Sequence, residues 1–209
     1  MINLPIKLLL IVGLLLSACT RVQDVIQEPP PVILEYDALK LSYQTCSGSG
    51  KITSSGTVKG HLVFSFTSRN DSTYIQFKDL LGRRTMYIQL FENEIHLWDM
   101  MKNRRYSEEK IIEQFPVVSL ISPLELTKYF WGVDPFESTT DVIPVAESKS
   151  LNATLHSKSS VTSNGFETIS LLFQDHQEDY ELSLEITDRE YGSWSSRFVR
   201  SIPSSVKWN

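Results

Sequence analysis

Apolar residues change their period several times along the chain. Leu8 to Leu16 make a short apolar run, broken by Gly13 and closed by Ser17 and Ala18. The run is much shorter than the about 20 residues a membrane span needs, and small residues follow it directly, as in a cleavable secretory leader. Leu34, Ala38 and Leu41 recur at helical spacing, which predicts a short amphipathic helix over residues 34–44. From Gly50 the period becomes two. Leu62, Phe64 and Phe66 share one face, and Tyr74, Ile75 and Phe77 follow the polar turn Ser68 to Ser72. Met86, Ile88 and Leu90 then alternate with Tyr87, Gln89 and Phe91, and Glu92-Asn93-Glu94 turns the chain into Ile95 to Trp98. At least four consecutive antiparallel strands are expected.

A helical block comes next. Ser107 precedes Glu108-Glu109-Lys110 as an N-cap with acids in the first turn, and Ser122-Pro123-Leu124-Glu125 combines an N-cap serine, a first-turn proline and a glutamate three residues on. The second helix carries Leu124, Leu126, Tyr129, Phe130 and Trp131 and stops at Gly132. Strands return at Leu151 to Leu155, Thr168 to Phe173 and Tyr180 to Ile186, with turns at Asn164-Gly165 and Gln174 to Asp179. The last twenty residues show no clear pattern. The expectation is a mainly β chain with helices (α+β), forming one domain over residues 34–209.

Leu16-Ser17-Ala18-Cys19 resembles the bacterial lipobox. The resemblance implies a diacylglyceryl thioether on Cys19, cleavage of residues 1–18, and a further amide-linked acyl chain on the new N-terminus. A thiol is the side chain nucleophilic enough for that thioether, and small residues before it let the cysteine enter an intramembrane active site. At ~0.8 kcal/mol per buried CH₂, two or three chains make a durable membrane anchor. Thr20 stands where aspartate would retain a Gram-negative lipoprotein at the inner membrane, which implies the outer membrane with the body facing the periplasm. Residues 19–33, with Pro29, Pro30 and Pro31, read as a tether in extended polyproline geometry.

Lys7 is the leader's one charge. The 191 residues left after it (209 − 18) carry 19 Lys and Arg against 25 Asp and Glu, a net charge of −6, and nothing points to a nucleic-acid partner. With Cys19 acylated, Cys46 has no intrachain disulfide partner. Its neighbours Thr45, Ser47 and Gly48 supply no base or cation, so a half-buried structural cysteine is expected. Gly48-Ser49-Gly50-Lys51 looks at first like a phosphate loop, but Ile52 replaces the required Ser/Thr and Thr45 the first glycine. His61, His96, His156 and His176 occur in no metal-ligand spacing, and there is no Gly-x-Ser-x-Gly elbow. No catalytic residue, metal or cofactor is expected, and enzymatic activity is unsupported.

The segment Lys78-Asp79-Leu80-Leu81-Gly82-Arg83-Arg84 joins two expected strands. Asp first and Gly fourth suit a type I turn, which puts two leucines at the centre, where polar residues or glycine normally sit. Exposing them costs about 25 cal/mol per Å², which makes sense if the tip meets lipid or a partner. The bland alternative is a longer loop folded over the core with both leucines buried. Lys78, Arg83 and Arg84 flank the tip, and each adds on the order of 1 kcal/mol of attraction near anionic head groups.

Residues 50–132 resemble the outer-membrane lipoprotein receptor family LolB. The matching features run in order: Gly50-Lys51-Ile52 at a strand entry, Phe64-Ser65-Phe66, Tyr74 leading to Leu80-Leu81-Gly82, and Met86 to Leu90. Tyr106 with its Ser107-Glu108-Glu109 helix, Ser122-Pro123-Leu124-Glu125-Leu126 and Phe130-Trp131-Gly132 follow. The resemblance implies a LolA/LolB-like fold, a curved antiparallel sheet forming an incomplete barrel closed by helices over an apolar cavity. Candidates to line it are Leu62, Phe64, Phe66, Phe77, Met86, Ile88, Trp98, Phe130 and Trp131. Leu81 matches the family's membrane-inserting leucine, and Leu80 stands where the family has proline. The implied function is to accept acylated lipoproteins from a periplasmic carrier and insert them into the outer membrane, with no cofactor. Two alternatives remain open: a lipoprotein of the same fold that binds phospholipid or glycolipid, and a structural lipoprotein of an envelope assembly.

Overall fold

The computed structural model describes residues 35–56, 59–136, 145–148, 152–163 and 165–208. The expected leader, Cys19 and the expected tether lie outside the described residues, as do Leu34, Leu151 and Asn164 of the expected Asn164-Gly165 turn.

The strands form one curved, mainly antiparallel sheet that does not close. They are β1 (Thr45–Gly56), β2 (Gly60–Arg69), β3 (Ser72–Lys78), β4 (Arg84–Leu90), β5 (Ile95–Asp99), β6 (Arg104–Tyr106), β7 (Val145–Ser148), β8 (Ala153–Thr162), β9 (Gly165–Asp175), β10 (Tyr180–Tyr191) and β11 (Lys207–Trp208). Their order is β11-β6-β5-β4-β3-β2-β1-β10-β9-β8-β7, so β1 joins the two halves of the chain by pairing with both β2 and β10. Among the described residues, only the short β6–β11 pair is parallel. Register shifts at Ser49/Gly50, Phe77/Lys78 and Lys158/Ser159 mark bulges, which bend strands and increase their twist.

Alternation fixes the faces. Phe64, Phe66, Ile75, Phe77 and Leu90 point to an inner face covered by helices, and all are buried. Two glycines of β1 are there for packing. Gly48 and Gly50 sit opposite Phe66 and Phe64, and a Cβ at either would come within 2.6 or 2.2 Å of the facing ring. The absent side chains leave the space that the two phenyl rings fill.

Helix α1 (Tyr36–Tyr43) ends at Gln44, whose left-handed φ of 59° turns the chain into β1. It buries Tyr36 and Leu39, whereas Leu41 is 86% exposed and Ala38 is also exposed, so its inward face is not the one the leucine spacing indicated. Polar contacts set the face. The Tyr36 hydroxyl donates to Asn70 O (3.0 Å) and Asp71 Oδ1 (3.1 Å), Lys40 Nζ lies 2.7 Å from Asp71, and the Tyr36 ring meets Trp131 edge-on at 6.0 Å. The polar turn of the β2–β3 hairpin narrows to Asn70-Asp71, with Arg69 and Ser72 paired.

The cover of the inner face consists of α2 (Glu108–Gln114), a 3-10 turn (Pro116–Ser119) and α3 (Pro123–Phe130). The capping box of α3 is complete: Ser122 Oγ accepts from the Glu125 amide (3.2 Å) and Glu125 Oε2 from the Ser122 amide (2.8 Å). Ser107 precedes α2 in extended conformation but makes no side-chain cap bond. Beyond α3, Gly132 takes φ +83° and reverses the chain.

The C-terminal residues, which show no pattern in the sequence, cross the outer face of β3 to β6. The Tyr87 hydroxyl donates to Phe198 O (2.7 Å), Gln89 Nε2 to Arg200 O (2.9 Å), and Arg105 Nη2 to Ile202 O (2.9 Å). This strap is why Tyr87 and Gln89 are buried although they alternate out of the core. β6, β7 and β11 have too few residues to display a period.

Candidate functional site

Between the inner face and its cover lies a cavity of about 90 Å³ with a wholly aliphatic and aromatic lining. The sheet contributes Ile52, Ile75, Phe77, Met86, Ile88 and Ile95 from one half, and Leu155, Leu171, Phe173, Leu182 and Leu184 from the other. Phe115, Val117, Val118, Ile121, Leu126 and Phe130 form the roof. The volume is small because the rings crowd one end. Phe130 packs against Phe66 with ring centroids 4.8 Å apart and against Phe64 at 6.0 Å, and Phe64 reaches Phe77 at 5.6 Å.

Of the nine residues the sequence offers as lining, Phe77, Met86, Ile88 and Phe130 border the cavity. Phe64 and Phe66 are core, and Leu62 packs on that core while partly buried. Trp131 is fully buried at the junction with α1, where its Nε1 donates to Ser68 Oγ (2.7 Å). Trp98 is on the opposite face. It pairs with Tyr87 and Arg105 across β4 and β6, one residue out of phase with Leu97, which is inward and buried. Period-two reading assigns a face correctly only when the register is known. The roof residues from Phe115 to Ile121 are missed by the sequence reading, although their continuous apolar run between two helix signals marks them as covered. The β8–β10 lining residues alternate cleanly, yet nothing local shows that their strands join the sheet that begins at β2.

A buried ion pair anchors the roof. Arg189 and Glu167 of β10 and β9 have side chains only 3% and 5% exposed, with Nη1 3.0 Å from Oε2. The guanidinium also donates to Phe130 O (3.0 Å), Tyr129 O (3.1 Å) and Thr168 O (2.9 Å). The Tyr191 hydroxyl donates to Trp131 O and Glu167 Oε1, both at 2.8 Å. The carbonyls at the end of α3 are satisfied by a cation, as the helix dipole favours. Cys46 lies beside this cluster, completely buried rather than half-buried, with Sγ 3.7 Å from Phe130 O. Burial pushes its thiol up to about 12, outweighing the lowering by Arg189. Inward alternation of β1 places it in the core, which the polar neighbours Thr45 and Ser47 conceal in the sequence.

The β3–β4 hairpin runs from this cavity to the surface. Phe77 and Met86 pair at its stem and line the cavity, and Leu80 and Leu81 form its tip, 77% and 78% exposed. The buried-loop alternative therefore does not hold. The Gly82 amide donates to Asp79 O (2.9 Å), the Asp79 amide to Arg83 O (3.0 Å), and Gly82 takes φ +76°. This is a type I turn followed by a left-handed residue, a common three-residue hairpin loop. Asp79 Oδ1 accepts from the Leu81 (3.0 Å) and Arg83 (2.9 Å) amides, and Arg83 Nε lies 2.6 Å from Oδ2. Desolvation pushes the Asp79 carboxyl up, but these bonds from Arg83 and Leu81 outweigh it and hold it below the usual range. The sequence predicts the turn. Arg83 spends its charge on Asp79, while Arg84 is exposed beside it.

The histidines lie apart. His96 pairs with Glu94 (3.2 Å), His176 with Thr154 (3.3 Å), and among the described residues no group of three His, Cys, Asp or Glu is placed to hold a metal. No described helix is long and apolar enough to cross a membrane.

No protein-family model matches the chain, and no curated protein matches it. Among solved structures, a DUF1329 family protein from Desulfovibrio piger superposes with a TM-score of 0.51 at 12% identity, over 78% of this chain and 92% of that one. That likeness is one of fold. An uncharacterized conserved protein from Thermus thermophilus matches with a TM-score of 0.41 at 10% identity, over 83% of this chain and 94% of that one.

Proposed function

We propose that this protein is a lipid-handling lipoprotein of the LolA/LolB-like superfold, anchored through Cys19 in the outer membrane and facing the periplasm. It takes the acyl chains of a lipoprotein from a periplasmic carrier and releases them into the bilayer. The observation that carries this reading is one hairpin whose stem lines a wholly apolar cavity and whose rigid tip holds two leucines in solvent.

The cavity as it stands is smaller than the about 300 Å³ at which small-molecule pockets begin, so a chain enters only as the roof lifts. The 3-10 turn of the roof lies between two helices, and the roof's far end at Phe130 is fixed by Arg189, which suits such an opening. Each CH₂ that enters gains about 0.8 kcal/mol over water, which offsets the parted roof contacts. A bilayer buries the chains fully, so release into it is downhill, and no cofactor or catalysis is required.

Replacing Leu81 with Glu tests the reading. The variant is expected to keep its fold and its acyl binding but to stop transferring a lipoprotein to liposomes; normal transfer would remove the tip from the mechanism. The small cavity favours a second reading, a structural envelope lipoprotein with a simply packed core, which predicts no saturable acyl binding at all.

A further inference from the structure

Two neighbouring hairpins carry the same chemistry in the same order. The β3–β4 connection reads Asp79-Leu80-Leu81-Gly82-Arg83-Arg84, and the β5–β6 connection reads Asp99-Met100-Met101-Lys102-Asn103-Arg104. In each, an aspartate side chain accepts from backbone amides of its own turn: Asp79 Oδ1 from Leu81 and Arg83, and Asp99 Oδ1 from Lys102 at 2.9 Å. Two apolar residues follow in both, and a left-handed residue leads back to the next strand, Gly82 in one and Asn103 at φ 52° in the other. A turn of this kind needs no apolar residue at its centre, where polar ones normally sit. Yet Met101 is 58% exposed, as Leu80 and Leu81 are at 77% and 78%.

Strand order brings the two tips together. β4 and β5 are adjacent and antiparallel, so both turns lie at one end of the sheet, and the Met100 amide donates to Thr85 O (2.9 Å), one residue after Arg84. Lys78, Arg83, Arg84, Lys102 and Arg104 stand there against Asp79 and Asp99, in a chain whose overall charge is negative. The β9–β10 turn, at the same end of the other half, carries Asp175, Glu178 and Asp179 instead. Basic side chains and exposed apolar ones thus coincide on the β3–β6 half.

We propose that the β5–β6 turn is a second membrane contact, through which the body docks its β3–β6 end on a bilayer bearing anionic phospholipid. This rests on the reading of Leu80-Leu81 as a membrane tip. The apolar residues sit at the turn centres and most of the basic ones at the flanks, the order in which a bilayer presents hydrocarbon beneath its head groups. Met101 suits the boundary, because its flexible thioether chain adapts to an irregular apolar surface. Two contacts also restrict how the body swivels, and the acids of the β9–β10 turn keep the other half off the negative surface.

The test sediments the full-length Cys19→Ser chain with vesicles of phosphatidylcholine alone or of equal parts phosphatidylcholine and phosphatidylglycerol. The mixed vesicles are expected to bind it at least about tenfold more tightly, an advantage that added salt removes. Met101→Glu is expected to weaken that binding about tenfold. Val161→Glu puts the same charge on a residue 69% exposed at the opposite end of the sheet and is expected to change nothing. A nitrobenzoxadiazole label on Met101→Cys, with Cys46 shielded by burial, asks the same question without an added charge. Its emission is expected to shift to the blue on mixed vesicles, and that of a label on Val161→Cys is not. Parent-like binding by Met101→Glu, or an unshifted label at 101, would overturn the second contact and leave the Leu80-Leu81 tip standing where Leu81→Glu still weakens binding. Equal binding to both vesicle types would overturn the anionic surface. Uptake of a palmitate probe in solution needs neither contact, so its loss with docking intact would overturn the cavity reading alone.

Discussion

Replacing Arg189 with methionine removes the cation that joins the roof to the sheet, and the cost follows from its surroundings. The guanidinium is 3% exposed and serves Glu167, itself 5% exposed, together with the carbonyls of Tyr129, Phe130 and Thr168. Methionine fills much of the space but donates nothing, so three buried carbonyls lose a donor and Glu167 loses its counter-charge. Breaking one side of a buried ion pair costs about 3–5 kcal/mol, a large share of the about 5–15 kcal/mol that holds a domain folded. With a urea dependence of about 2 kcal/mol/M, the unfolding midpoint is expected to fall by on the order of 2 M. Tryptophan fluorescence follows the transition, since Trp131 lies within this cluster. Adding Glu167→Gln to the same chain removes the carboxylate that faced Arg189 and is expected to restore part of the loss, the coupling that contacting residues show. The looser α3 terminus is also expected to speed entry of an acyl probe. A loss under about 1 kcal/mol, or a double variant no more stable than the single one, would refute the staple.

Further outcomes follow from the same region. Gly132→Ala forces alanine into φ +83° and places Cβ 2.9 Å from both Arg189 Nη1 and the Tyr191 hydroxyl; a destabilisation of at least about 1–3 kcal/mol is expected in urea melts, and a neutral result would contradict the geometry. Cys46, with its thiol pushed up to about 12 by burial, is expected to resist iodoacetamide at pH 8 until the protein is unfolded, and native-state labelling at the unfolded rate would contradict this. Burial raises the Asp134 carboxyl, against the lowering by the Phe136 amide and the Ser157 hydroxyl, so its stabilising contribution is complete below the unfolded value of about 4 and is lost as pH rises through the folded one. Asp134→Asn is accordingly expected to raise the melting temperature at pH 7 and to lose that advantage in acid; an advantage independent of pH would assign it to another cause.

What the sequence discloses and what it hides divide along physical lines. The β2–β5 meander is legible because each strand turns one apolar face to the core and each turn carries its own chemistry, from Asn70-Asp71 to Glu92-Asn93-Glu94. The Ser122 capping box and the Leu80-Leu81 tip are equally local. Sheet order is not: the pairing of β1 with β10 joins residues 46 and 191 and depends on two glycines that leave no hydrophobic signal. The face of α1 is set by Tyr36 and Lys40 meeting Asp71, tertiary contacts that outweigh the leucine spacing of an eight-residue helix. Trp98 reads as inward from composition, and the strap that covers its face of the sheet consists of residues with no period of their own. The site shows the same division. Phe77, Met86 and Ile88 are found by alternation, whereas the roof and the Arg189–Glu167 staple appear only once the chain is folded.

Lipid handling requires the inner cavity to widen and admit a hydrocarbon chain. A fluorescent palmitate analogue titrated against the full-length Cys19→Ser chain, with Leu126→Trp in parallel to fill the cavity from the roof, measures this directly. One saturable site per chain is expected, and the tryptophan is expected to abolish it. Binding that never saturates, or that survives the filled cavity unchanged, would contradict it.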